Sequence, residues 1–255
     1  MKKMCIPIII ICILLLTPFS GCITNNEKTQ CILLNNNVEF SSLKEALESA
    51  KDGDELFLCK GSYVGGVYIN TSISLKGNSP EDAMIYPSEN ESFILMINAK
   101  NCCLESFTIS NKNPQDSSRF IKGIEVNNDN CNISNMIIDK CTYGIYCKEE
   151  SKNHLITQND ISYNKNGIEC YHSNNNHIKN NTFNNNSQFG LLLFEYSISN
   201  AVEGNVFNNN NEGIRLKGFD VTNNIIRNNQ FSNNEEAIHE CCGAQNNIIV
   251  NNEIN

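Results

Sequence analysis

Residues 167–193 read GIECYHSNNNHIKNNTFNNNSQFGLLL, and this stretch decides the fold. Gly167 opens a short alternating run, Ile168-Glu169-Cys170, and Gly190 opens another, Leu191-Leu192-Leu193. Between them Ile178 and Phe183 are the apolar points of an Asn-rich segment, with Asn181 two residues before Phe183. The pattern continues in both directions. Gly123, Gly144, Gly167, Gly190 and Gly213 are separated by 21, 23, 23 and 23 residues, and Ala237 follows 24 later. Ile124-Glu125-Val126, Ile145-Tyr146-Cys147 and Ile214-Arg215-Leu216 repeat the run, with an apolar first and third residue. Side chains alternate across a strand, so the first and third point inward and the second outward.

A second strand recurs on the same period, marked by the pairs Ile133/Ile138, Ile156/Ile161, Ile178/Phe183, Val202/Phe207, Ile226/Phe231 and Ile249/Ile254. Asn159, Asn181, Asn205, Asn229 and Asn252 each stand two residues before the last apolar position. In stacked coils these amides form a column that satisfies backbone groups at a turn. No unit has room for a helix, and none can bury its apolar face alone. Stacking at about 4.8 Å per coil closes the core. The spacing therefore predicts an all-β, right-handed parallel β-helix of about 23-residue coils. Phe40, Leu43, Ala46, Leu47 and Ala50 lie at helical spacing before Gly53 and predict a short N-terminal helix over the open first coil. Strands follow at 55–58, 67–69 and 73–75, and residues 110–119 form a loop between coils.

Residues 40–47 (FSSLKEAL), 52–58 (DGDELFL), 61–63 (GSY) and 73–77 (ISLKG) resemble the opening of pectin-lyase-fold proteins. The later coils are similar to the repeats of the carbohydrate-binding and sugar-hydrolysis domain, which also occurs in NosD-like copper accessory proteins. The resemblance covers nearly everything after Val38. It implies a fold that carries lyases, hydrolases, epimerases and non-enzymatic binders, so activity has to be argued from the site.

The N-terminus carries a different signal. Lys2 and Lys3 precede an apolar run from Ile6 to Leu16, and Phe19-Ser20-Gly21-Cys22 resembles a lipobox. The run is shorter than the ~20 residues a membrane span needs. This predicts a signal peptide over 1–21, a linker over 22–37 lipidated at Cys22, and a β-helix domain over 38–255. An uncleaved signal helix is the alternative. Either version gives an exported, membrane-tethered protein at the cell surface. Net charge is −9 with no basic block, which disfavours nucleic acid as partner. Of 13 cysteines, ten follow Cys22; Cys102 and Cys131 stack as a candidate disulfide, and Cys147 and Cys170 are inward core thiols.

The outward residues of successive coils form one band. Tyr146, Glu169, Tyr171, His172, Phe194, Arg215 and Lys217 are the candidate ligand-binding residues, with rings for sugar faces and cations for acidic groups. Glu125 and Glu169, two coils apart with Tyr146 between, are the candidate catalytic carboxylates. His239, Cys241 and Cys242 are the candidate metal donors, and His154 and His177 lie near equivalent positions. No cofactor is required by these residues; calcium and copper remain open. The reading that follows is a surface lipoprotein binding polysaccharide or a surface partner. A lyase or hydrolase of acidic glycans and a NosD-like metal accessory protein are the alternatives. The apolar Ile249 and Ile254 in the last coil predict fraying or self-association there.

Overall fold

The computed structural model describes residues 32–34, 38–111 and 119–255. The expected signal segment, Cys22 and the middle of the expected inserted loop lie outside these residues. Within the stretch 22–37 read as linker, Ile32–Leu34 is a strand, antiparallel to both Val38–Phe40 and Glu55–Leu58.

From Glu55 onward the chain is a parallel β-helix with three sheets. Among the described residues sheet A has 11 strands, the two antiparallel ones before Glu55 included, and ends at Ile248–Val250. Sheet B has nine, from Gly61–Val64 to Glu253–Ile254, and sheet C has eight, from Val67–Ile69 to Glu236–Cys241. Each strand pairs with its counterpart one coil away. In sheet A, Ile133, Ile156, Ile178, Val202 and Ile226 follow one another in register.

The single second strand predicted per coil is in fact two. His177–Lys179 belongs to sheet A and Thr182–Asn184 to sheet B. The reason is geometric: residues five apart on one strand face opposite sides. Ile178 and Phe183 can both point inward only if the chain turns a corner between them.

That corner explains the Asn-rich composition. Its first residue adopts a left-handed backbone, as Asn180 does at φ 53°. Asn is among the few non-glycine residues that tolerate this conformation. Its second residue, Asn181, turns inward and is fully buried. Asn205, one coil on, shows how such a buried amide is satisfied. Its Nδ2 donates to Ile178 O at 2.9 Å and to Asn229 Oδ1 at 3.0 Å. Its Oδ1 accepts from the backbone N–H and Nδ2 of Asn181 at 2.9 and 3.1 Å.

All three corners of the coil are built this way. Besides the predicted column from Asn159 to Asn252, Asn164, Asn186, Asn210 and Asn234 stack between sheets B and C. Asn176, Asn200, Asn224 and Asn247 stack between sheets C and A. Toward the N-terminus the last column continues as His154, whose backbone N–H donates to Asn176 Oδ1 at 3.0 Å. The N–H of Cys131 donates to His154 Nδ1 at 3.3 Å.

Inside, Phe183, Phe207 and Phe231 stack almost parallel, with centroids 4.5 and 5.0 Å apart. The periodic glycines are required by this packing. A Cβ at Gly190 would lie 2.6 Å from the carbonyl oxygen of Gly213 and 2.7 Å from Phe207 Cδ1. Ala237 occupies the equivalent position on Glu236–Cys241, the edge strand of sheet C.

The helix Leu43–Ser49 has Ser42 as N-cap, with Ser42 Oγ accepting from the Glu45 N–H at 3.4 Å. It buries Leu43, Ala46 and Leu47. It stops at Ala50, whose backbone is extended, rather than at Gly53. Gly53, at φ 89°, serves the turn into the first coil. Cys102 and Cys131 are thiols and not the disulfide considered above. Cys131 Sγ faces the carbonyls of Ala99, Asn128 and Asp129 at 3.7–3.9 Å. Cys147 and Cys170 are buried core thiols, as predicted, whereas Cys59 is disulfide-bonded.

Candidate binding face

The outer surface of sheet C gathers the residues that the repeat places outward. Glu125, Tyr146, Glu169, Leu192, Arg215 and His239 form one column in strict register. Tyr171, Phe194, Lys217 and Cys241 form a second beside it. A third column, absent from the sequence reading, consists of Lys122, Tyr143, Asn166, Phe189, Glu212 and Glu236. Its signal was present, because each member immediately precedes an aligned glycine or Ala237. Counting alternation from the glycine onward hides a strand that begins one residue earlier.

This face is drier than a solvated sheet. Glu125 and Glu169 are only 6% and 7% exposed although they point away from the core. Lys122 Nζ bonds Glu125 Oε2 at 2.8 Å and lies 4.4 Å from the centroid of the Tyr146 ring. Tyr146 stands between the two carboxylates in the stack, with Tyr143 tilted against it at 5.6 Å. Asn166 Nδ2 donates to Glu169 Oε2 at 3.0 Å. Burial raises the Glu169 carboxyl above the usual range, against the opposing pull of Asn166 and the lysines nearby. Burial also pushes the Tyr146 phenol up, and the negative charge of Glu169 adds to it.

Tyr171 and Phe194 continue the aromatic surface at 5.6 Å, with Lys217 Nζ 5.7 Å from the Phe194 centroid. His172 sits at the margin, in a left-handed turn, against the Tyr196 ring at 5.1 Å. The face therefore joins flat rings, cations and a carboxyl that keeps its proton to higher pH than a surface group.

At the C-terminal end of the face the predicted donors separate. His239 Nδ1 lies 2.6 Å from Glu236 Oε2 and 3.7 Å from Glu212 Oε2. Arg215 pairs with the other oxygen of Glu212. Cys241 instead accepts from Arg215 at 3.4 Å, and Cys242 is an exposed turn residue whose Sγ is 3.0 Å from Cys241 Sγ. Among the described residues, Glu212, Glu236 and His239 are the group whose donor atoms converge, all within 4.8 Å of one another. His154 and His177 do not meet. His154 is a buried corner residue, while His177 faces out from sheet A and pairs with Glu203 at 2.6 Å.

Residues 69–255 match the model of a family described as periplasmic copper-binding protein (NosD). The chain belongs to the NosD family. No curated protein matches it in sequence. Among solved structures, ORF18 of Geobacillus virus E2 is similar at 15% identity and TM-score 0.59, over 83% of this chain and 55% of that one. The Agl-KA catalytic domain is similar at 15% identity and TM-score 0.62, over 82% and 43%. An alginate lyase from Paenibacillus sp. is similar at 14% identity and TM-score 0.58, over 83% and 96%. This NosD-family chain thus spans about half the length of the first two, and at these identities the likeness is one of fold.

The family description raises the question of copper. Thiolate and thioether donors suit copper(I), whereas imidazole and carboxylate suit divalent ions. The converging group in this NosD-family chain is of the second kind, with one imidazole and two carboxylates. It fits copper(II) and gives no soft cage for copper(I). Among the described residues, no helix is long and apolar enough to cross a membrane.

Proposed function

We propose that this NosD-family β-helix is an exported scaffold that binds polysaccharide along the outer face of sheet C. The observation that carries the reading is the burial of Glu125 and Glu169 on an outer face that also carries the ring pairs Tyr143–Tyr146 and Tyr171–Phe194 and the cations Lys122 and Lys217. Outward carboxylates on an ordinary solvated sheet remain wet. Here Tyr146, Tyr171 and Phe194 offer flat apolar surfaces to sugar rings, and Arg215 and Lys217 supply charge for uronate or sulfate groups. A neighbour of the same fold is an alginate lyase, so the architecture has carried a polysaccharide-acting site elsewhere.

A glycan array probed with the purified protein tests this. Tyr171→Ala and Phe194→Ala should each weaken the captured glycan at least tenfold, and Lys179→Ala on sheet A should leave it unchanged. If no glycan is retained, or if the sheet C variants bind as well as the parent, the reading fails.

Enzymatic action on acidic glycans is a second reading, favoured by Glu169 alone. A carboxyl whose burial keeps its proton to higher pH, two coils from Glu125, is suited to general acid work. New reducing or unsaturated ends should then appear, and Glu169→Gln should lower their rate at least a hundredfold. The tether is proposed to be a lipid on Cys22. Cys22→Ser should release the protein from membranes; retention with an intact N-terminus would instead indicate an uncleaved helix.

A further inference from the structure

We infer that Glu212, Glu236 and His239 form a binding site for a divalent first-row transition ion at the C-terminal end of sheet C. The three belong to two adjacent strands. Glu212 faces Glu236 across the sheet, and His239 is three residues beyond Glu236 on the same strand. His239 Nδ1 to Glu236 Oε2 is 2.6 Å and His239 Nδ1 to Glu212 Oε2 is 3.7 Å. Donors on a tetrahedral ion with bonds of ~2.0–2.1 Å stand about 3.4 Å apart. The two separations bracket that value, and all three donor atoms lie within 4.8 Å of one another, so side-chain rotation can close them on one ion.

A second observation points the same way. Glu212 is nine-tenths buried, and its Oε2, facing His239, has no hydrogen-bond partner. A buried carboxylate oxygen without a partner carries a desolvation penalty that a cation would remove. Arg215 holds the opposite oxygen of the same carboxylate. It fixes the ligand's orientation from outside the coordination sphere, as partners of metal-bound carboxylates commonly do. Glu212, Glu236 and Arg215 together carry one net negative charge, which still favours a dication. Three protein donors leave a position for water or for an oxygen of a bound molecule.

The donor set selects the ion. Imidazole with two carboxylates favours zinc or copper(II) over copper(I), and copper(II) should bind the more tightly of the two divalent ions. The inference does not depend on glycan binding.

Equilibrium dialysis of the full chain, stripped with chelator and then exposed to zinc chloride or copper(II) chloride, tests it. One ion per chain should be retained. His239→Ala and Glu236→Gln, at positions that are not buried, should weaken retention at least tenfold without changing the circular dichroism spectrum. The double variant Cys241→Ser/Cys242→Ser should retain the ion, which separates this site from the neighbouring thiols. The copper(II) form should show nitrogen hyperfine coupling from a single imidazole in its electron paramagnetic resonance spectrum. Absence of stoichiometric binding, or binding that survives His239→Ala but is lost with the two cysteines, would overturn the assignment.

Discussion

His154 is an imidazole standing in a column otherwise continued by asparagines. It is 1% exposed, and burial lowers its pKa from the usual 6.5 to about 4. Between these values an unfolded chain takes up a proton that the native chain refuses. The histidine's contribution is therefore complete above pH 6.5 and is lost as pH falls toward 4, by about 3 kcal/mol in total. His154→Asn should remove that dependence, which urea unfolding of both proteins at pH 7 and pH 4.5 would reveal as a smaller gap in the variant. Asn205→Leu should be severe. It strands the N–H of Asn181 and removes the Asn205 amide from the carbonyl of Ile178, each costing about 1–3 kcal/mol when buried without a partner, while Asn181 Nδ2 keeps its bond to Ile156 O. Only one of the three asparagine columns was read from the sequence, although the other two keep equally fixed places, two residues before Ile178, Val202, Ile226 and Ile249 and three after Ile161, Phe183, Phe207 and Phe231. Toward the N-terminus those two pass into Cys141 and His154, and the left-handed residue ahead of the corners varies among Asn, Ser, Gln, Gly, Lys and Tyr. What recurs there is a backbone shape, which several residue types satisfy.

For the strands, the glycine column and the outer face of sheet C make separate demands. Gly190→Ala drives a methyl into the Gly213 carbonyl and the Phe207 ring, and overpacking of this kind costs typically 1–3 kcal/mol. Ala237→Gly, in the edge strand, should shift the thermal midpoint far less; similar shifts for both would contradict the steric account. Glu169 has a raised carboxyl pKa, so its contribution to stability is present below its ordinary value and is lost as pH rises through the native one. Glu169→Gln keeps an acceptor for Asn166 without the charge. It should match the parent near pH 4 and exceed it at pH 8 in thermal unfolding. The order of outward residues along the band follows directly from the period. Their dryness does not, because it depends on Lys122, Tyr143 and Asn166 in the adjacent column, whose places emerge only when the strand start is known.

At the scale of the molecule, stability in a solenoid is a sum of coils and the contacts between neighbours. The N-terminal end is covered by the helix Leu43–Ser49 and the antiparallel strands. At the other end, Ile248, Ile249, Val250 and Ile254 are 39–65% exposed, whereas Ile226 and Phe231 one coil earlier are buried. Amides of 236–255 should therefore exchange with deuterium well before those of Asn166–Tyr171. Protection at the same level, without self-association in sedimentation, would show that the last coil is neither frayed nor docked. The overall architecture was legible because the coils repeat the same four inward positions, as in Ile168, Cys170, Ile178 and Phe183, so one correct alignment serves them all. The division into three sheets was not, since it requires recognising that a five-residue spacing hides a corner.

The columns at the three corners also make the protein's length a discrete quantity. Removing residues 190–212 would bring Gly213 onto Gly167 and Asn224, Asn229 and Asn234 onto Asn176, Asn181 and Asn186, with every bond along the stack able to re-form. Successive members of one column are nonetheless 22, 24, 24 and 23 residues apart, so the turns between coils absorb a residue or two while the columns stay in phase. Removing one residue inside a strand has no such outlet. Insertions and deletions should therefore be accepted as whole turns or within the loops between strands, and rejected inside strands, so that the stack itself lengthens in steps of about 4.8 Å.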